Sequence, residues 1–173
     1  MRSRSTHAGR LDELEAAVLG FGRAVAAGRP SARAPHHRGV TMAVDALRAA
    51  PVATSEDRRR IAALEDVDFH LRHIDRLVET LALSPHAPDV RPALDALGLA
   101  LTVFETRGGV RLERLDRRVG DILATVERPL LERGAGSVAD ARLRRIALHV
   151  LAVGEASGFA PPPDRTPTPA PAA

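Results

Sequence analysis

Among its 173 residues the chain has no cysteine, tryptophan, tyrosine, lysine, asparagine or glutamine. The missing thiol excludes disulfides, cysteine-ligated zinc or iron–sulfur centres and a thiol nucleophile. The missing lysine excludes Schiff-base chemistry and a P-loop lysine, and without Tyr and Trp the usual rings for stacking on bases are gone. Ser, Thr, Asp, Glu and His are left to carry any chemistry. Long apolar runs are missing too: the longest, Ala96 to Phe104 and Ile146 to Val153, fall well short of the ~20 residues a membrane span requires. The opening MRSRSTHAGR runs into an amphipathic segment rather than the apolar core of a secretion signal. A cytoplasmic chain that does not span a membrane is therefore expected.

Charge is nearly balanced, with 25 basic against 22 acidic side chains and a formal net charge of +3. The sequence pI of about 10.9 overstates the basic character. With no Cys, Tyr or Lys to titrate between His (pKa ~6.5) and Arg (above ~12), a small positive excess persists to high pH. The excess belongs to residues 1–60, which hold 11 Arg and 6 acidic residues.

What is present is a helical period, repeated. Leu11, Leu14, Val18, Phe21 and Val25 follow a 3-4 spacing that sets all five on one stripe. The same spacing returns in Leu64, Val67, Leu71, Ile74, Val78 and Leu81; in Leu94, Leu97, Leu101 and Phe104; in Leu112, Leu115, Val119, Ile122 and Val126; and in Leu143, Ile146, Val150 and Val153. Nowhere do β-branched residues alternate with period two over the length a half-buried strand needs. The fold class is all-α, an antiparallel up-and-down bundle of about six helices that divide into two sets of three.

Punctuation places the helices at about 10–27, 39–50, 55–83, 90–106, 110–128 and 138–155. Pro51 closes the second, Ser55 is placed to cap the third, Pro85 and Pro88 separate the third from the fourth, and Gly108-Gly109 the fourth from the fifth. Ser137 with Asp140 reads as a capping box for the sixth. Pro129 is expected to kink or end the fifth near Arg128, because proline lacks the amide proton and its ring crowds the preceding turn. Gly28 to Arg38, GRPSARAPHHR, reads as a mobile basic loop. Residues 1–9 are expected to be a disordered tail, 10–156 the helical domain, and 157–173, with six prolines after Ala160, a Pro-rich disordered tail.

Chemistry concentrates on the third helix, where Glu65, Asp66, Asp68, His70, His73, Asp75 and Glu79 fall within fifteen residues. Asp66, His70 and His73 differ by four and three, so they project from one side and offer a carboxylate and two imidazoles to a divalent metal, with His149 of the last helix as a further contributor. Asp68, Asp75 and Glu79 form a second stripe. The plainer reading is a solvated face, with Asp68 to Arg72 an i,i+4 pair and Asp75 beside Arg72. No Gly-x-Ser-x-Gly elbow or His-Glu-x-x-His pair exists, and Ser84-Pro85-His86, which puts a hydroxyl near an imidazole, is a neighbour pair common by chance. Arg107-Gly108-Gly109 is a thin phosphate-loop candidate. Arginine clusters at 58–60, 117–118 and 142–145 could contact phosphates but read no bases, and no helix-turn-helix signature accompanies them, so nucleic acid is not favoured.

Arg59-Arg60-Ile61-Ala62-Ala63-Leu64 followed by Leu71-Arg72-His73-Ile74-Asp75-Arg76-Leu77 resembles the third helix of PhoU-like domains, including those at the ends of sodium/phosphate cotransporters. The resemblance implies an all-helical, non-enzymatic adaptor or regulator of phosphate transport that contacts a membrane transporter or a sensor kinase. Arg72 and Arg76 stand where that family usually carries its acidic pair, so its metal site does not carry over. Two further readings stay open: a metal- or ligand-binding bundle centred on the third helix, enzymatic or not, and a homodimer, since Phe69 falls opposite the core stripe of its helix.

Overall fold

The structure, a computed structural model, describes residues 7–49, 54–83, 88–106, 109–133 and 137–156. Both expected tails beyond His7 and Ala156, Pro51, Ser84 to His86 and the Arg107-Gly108 step lie outside the described residues. Six helices occupy the rest: α1 His7–Ala26, α2 Pro30–Arg48, α3 Ser55–Ala82, α4 Arg91–Thr106, α5 Gly109–Arg133 and α6 Val138–Glu155. No strand occurs among the described residues.

The periodic stripes are the core. All five stripe residues of α1 and all six of α3 are buried, as are Leu94, Leu97 and Leu101 of α4, Leu115, Val119, Ile122 and Val126 of α5, and the four of α6. Only the outermost positions, Phe104 and Leu112, are partly buried. Each such side chain contributes about 1.5–3 kcal/mol of transfer free energy, so the stripes decide which way every helix faces.

Four helices close a ring in which α1 packs on α3 and α4, and α6 packs on the same two; α5 lies across α4 and α6, and α2 lies on α1. The second triplet, α4–α5–α6, is mutually packed. The first is open: α2 and α3 both lean on α1, but their backbones do not approach each other among the described residues. Arg10 donates to the Ala46 carbonyl at 3.0 Å and Phe21 meets His37 edge-on at 5.8 Å, so α2 runs antiparallel to α1. Arg60 donates to both Asp12 and Glu15, tying the start of α3 to the start of α1. Gly22 sits where α1, α3 and α4 converge; a Cβ there would fall 2.7 Å from Leu101 Cδ2 and 3.2 Å from Leu71 Cδ1.

Several expectations are corrected. The stretch Gly28 to Arg38 is not a loop: α2 begins at Pro30, and the helix therefore includes all but the first two residues of what reads as basic linker. Gly28, with φ 65°, reverses the chain after α1. Pro30 then occupies the first helical turn, where its missing amide costs nothing. Pro35 does forfeit one intrahelical bond, and close packing on α1 offsets it: a Cβ added at Gly39 would lie 3.5 Å from the Ala17 Cβ. The fifth helix does not end near Arg128 but continues through Pro129 to Arg133; a single lost hydrogen bond close to a helix end is tolerated. The first helix starts at His7, so residues 7–9 belong to it rather than to a tail. Thr54, not Ser55, caps α3, in a capping box whose second member is Asp57. The box predicted at Ser137 and Asp140 is present, with both reciprocal hydrogen bonds at 3.0 Å.

Candidate functional site

The third helix presents polar groups on two sides, and each side meets a different helix. Towards α6 lie Asp66, His70 and His73. Across from them His149 enters from α6, so that His70 Nδ1 and His149 Nδ1 face each other at 2.8 Å. The His73 ring stacks on His149, with centroids 5.2 Å apart and planes 27° apart. Asp66 Oδ1 stands 3.6 Å from His70 Nε2, and His73 Nδ1 lies 2.8 Å from the Phe69 carbonyl. Burial holds both paired imidazoles below the ordinary histidine range. For His70, Asp66 opposes that shift and His73 adds to it; for His149, the neighbouring His70, His73 and Arg145 all add to it.

Of the predicted metal set, the structure therefore brings His70 and His73 together and adds His149, whereas Asp66 reaches only the far nitrogen of His70. Among the described residues no group of three or more His, Asp or Glu side chains is arranged to hold a metal ion.

The other side of α3 faces α2 across the open part of the first triplet. Here the solvated-face reading holds for Glu79, which is exposed, and not for Asp68 or Asp75. Asp68 is 8% exposed and pairs with Arg72 at 2.7 Å, the expected i,i+4 partner. Asp75 does not sit with Arg72; it is paired with Arg33 of α2, a side chain itself 8% exposed, which also reaches Glu79 at 3.4 Å. Burial nevertheless raises the Asp75 carboxyl above its usual range, against the pull of Arg33 and with help from Glu79. Arg33 was invisible to sequence reasoning because its segment reads as linker. An amphipathic reading of residues 30–48 starting from Pro30 as a first-turn proline would have found it.

Between Arg33 and the Arg48–Glu65 ion pair, 3.5 Å long, α2 and α3 bound a groove of about 440 Å³. Its floor and sides include Leu14, Val40, Val44 and Leu64, and its rim Phe69 and Arg72. A smaller hollow of about 210 Å³ continues past Arg48 and Glu65 towards Arg58 and Ile61. Phe69, 52% exposed, stands on the ridge between this groove and the histidines. Asp68 Oδ1 and Arg72 Nε, in the groove wall, are buried without a hydrogen-bond partner among the described residues.

Part of the arginine complement is held by carboxylates. Arg23, Arg33, Arg48, Arg60, Arg72, Arg91 and Arg144 each pair with one or more Asp or Glu. No described helix is long and apolar enough to cross a membrane. Comparison with family models, with curated proteins and with solved structures finds no match to this chain.

Proposed function

We propose that this chain is a non-enzymatic helical adaptor that acts by protein contact, and that the α2–α3 groove is where it takes its partner. The observation that carries this reading is the open first triplet: two helices flank α1 without closing on each other, and the gap between them has an apolar floor and a charged rim. An amphipathic helix is the occupant such a gap suits, since it buries its i, i+3, i+4, i+7 stripe on the floor and meets the rim with its polar edges. It would stand to α2 and α3 as the fourth member of a bundle. From Arg58 to Arg72 the α3 wall runs about 21 Å at 1.5 Å per residue, roughly four turns of a partner helix. The resemblance of α3 to PhoU-like domains supports a link to phosphate transport, with the intracellular face of a transporter or a sensor kinase as partner.

Site-specific photocrosslinking tests it. A crosslinker replacing Thr41, on the exposed edge of the groove, should label a phosphate transporter subunit or its sensor kinase. The same group at Thr125, on the opposite side of the molecule beside α4, should not. Equal labelling from both positions, or none from Thr41 when transporter and kinase are present, overturns the reading.

A further inference from the structure

Two polar atoms in the wall of the α2–α3 groove are left unanswered by the chain itself. Asp68, 8% exposed, gives its Oδ2 to the Arg72 guanidinium at 2.7 Å. Its Oδ1 and the Arg72 Nε are buried and have no hydrogen-bond partner among the described residues. One is an acceptor and the other a donor. Groups shut off from water and left unpaired carry the whole cost of their desolvation. A partner that answers both therefore gains more on this wall than an apolar surface of the same shape.

The charges around these atoms select the group. Asp68 and Arg72 together are neutral, Arg48 and Glu65 pair with each other, and Asp45 stands exposed on the α2 edge. A partner carboxylate meets repulsion from Asp68, and an ammonium meets it from Arg72. A carboxamide carries no charge, and in one planar group it offers an N–H to Asp68 Oδ1 and a carbonyl oxygen to Arg72 Nε. Both target atoms lie two bonds from the atoms of the 2.7 Å contact, within the span of that group. Arg72, whose side chain is 39% exposed on the rim, is the movable member that turns its Nε to the groove. We propose, on the reading of this groove as a helix dock, that the partner helix carries an asparagine or glutamine within its apolar stripe and seats that side chain on Asp68 and Arg72. A second copy of this chain cannot supply it, because the sequence contains neither residue. The occupant is then a different protein, and its carboxamide fixes the register of the helix in the groove, as a lone polar residue does in an apolar seam.

The test uses four synthetic amphipathic helices, alike in their leucine stripe and differing only at its central position, which is Gln, Leu, Lys or Glu. Each carries fluorescein, and its affinity for the full chain is read by fluorescence anisotropy. A photocrosslinker in place of Thr41, which lines the groove, reports whether the helix lies there. The Gln helix should bind about tenfold tighter than the other three. Arg72→Met removes the donor and leaves Asp68 without its cation, so the order should invert, with the Lys helix about tenfold tighter than the Gln helix and the helical circular dichroism unchanged. The series on the unsubstituted chain decides by itself if that variant does not fold. Equal binding of all four, or tightest binding of the Leu, Lys or Glu helix by the unsubstituted chain, overturns the proposal and leaves the groove standing as a helix dock. Binding of none, with the Thr41 crosslinker silent, removes the dock and the proposal together. A dimer of the free chain that these helices dissociate, read by size exclusion, places a second copy in the groove and overturns the proposal as well.

Discussion

Arg33 of α2 and Asp75 of α3 form an ion pair with side chains 8% and 17% exposed, bridging two helices whose backbones do not touch. Removing one partner of a buried pair leaves the other charge desolvated and uncompensated, which costs about 3–5 kcal/mol where burial is complete. Here Asp75 keeps some water. Arg33→Met should therefore destabilise the chain by about 2–3 kcal/mol in urea unfolding, and Arg33→Met with Asp75→Leu should recover most of the loss. A single variant as stable as the parent would show that α2 is held by its apolar contacts with α1 alone.

Stability should depend on pH through His70 and His149. Burial lowers both pKa values in the folded chain, whereas the unfolded chain takes up these protons near pH ~6.5. The unfolded state then binds more protons in the interval below ~6.5, so stability is level above about pH 7 and falls as pH drops through ~6.5. The loss from each group stops once that imidazole titrates in the folded state. Thermal midpoints measured from pH 8 to pH 5 should show the fall, and His149→Gln should flatten it. An identical pH profile in parent and variant would mean that other groups set the slope.

Two glycines should respond oppositely to the same substitution. A Cβ at Gly154 would lie 2.2 Å from Leu115 Cδ2, and Leu115 is fully buried, so Gly154→Ala overpacks the α5–α6 contact and should cost about 1–3 kcal/mol. Gly98, inside α4, has nothing within 4 Å of its Cβ position. Gly98→Ala should be neutral or stabilising by up to about 1 kcal/mol, since alanine is the better helix former. Denaturant midpoints of the two variants, measured side by side, check the sign of each.

Both capping boxes are exposed and independent of the core. Thr54→Ala and Ser137→Ala each remove the acceptor for an amide at 3.1 Å and 3.0 Å respectively, and each should cost about 1 kcal/mol. Hydrogen exchange should localise the loss to the first turn of α3 or of α6. Protection lost evenly over all six helices would instead point to a global effect.

The helices and their buried faces were written in the sequence, because a 3-4 spacing of Leu, Val and Ile reports which stripe of a helix must leave water whatever it meets there. Ser137 and Asp140 were legible for the same reason: a capping box is a contact between residues three apart. The start of α2 was not, since Pro, Gly, His and Arg between residues 28 and 38 have the composition of a linker, and only docking on α1 offsets the bond that Pro35 forfeits. Nor was the site. Asp66, His70 and His73 share a side of α3 by local geometry, but whether His149 meets them, 79 residues after His70, depends on the rotation and register of α6 against α3. Arg33 and Asp75 likewise find each other because α2 and α3 are both set by α1. Local periodicity determines what each helix hides; the packing of one helix against another decides which of the remaining polar groups become neighbours.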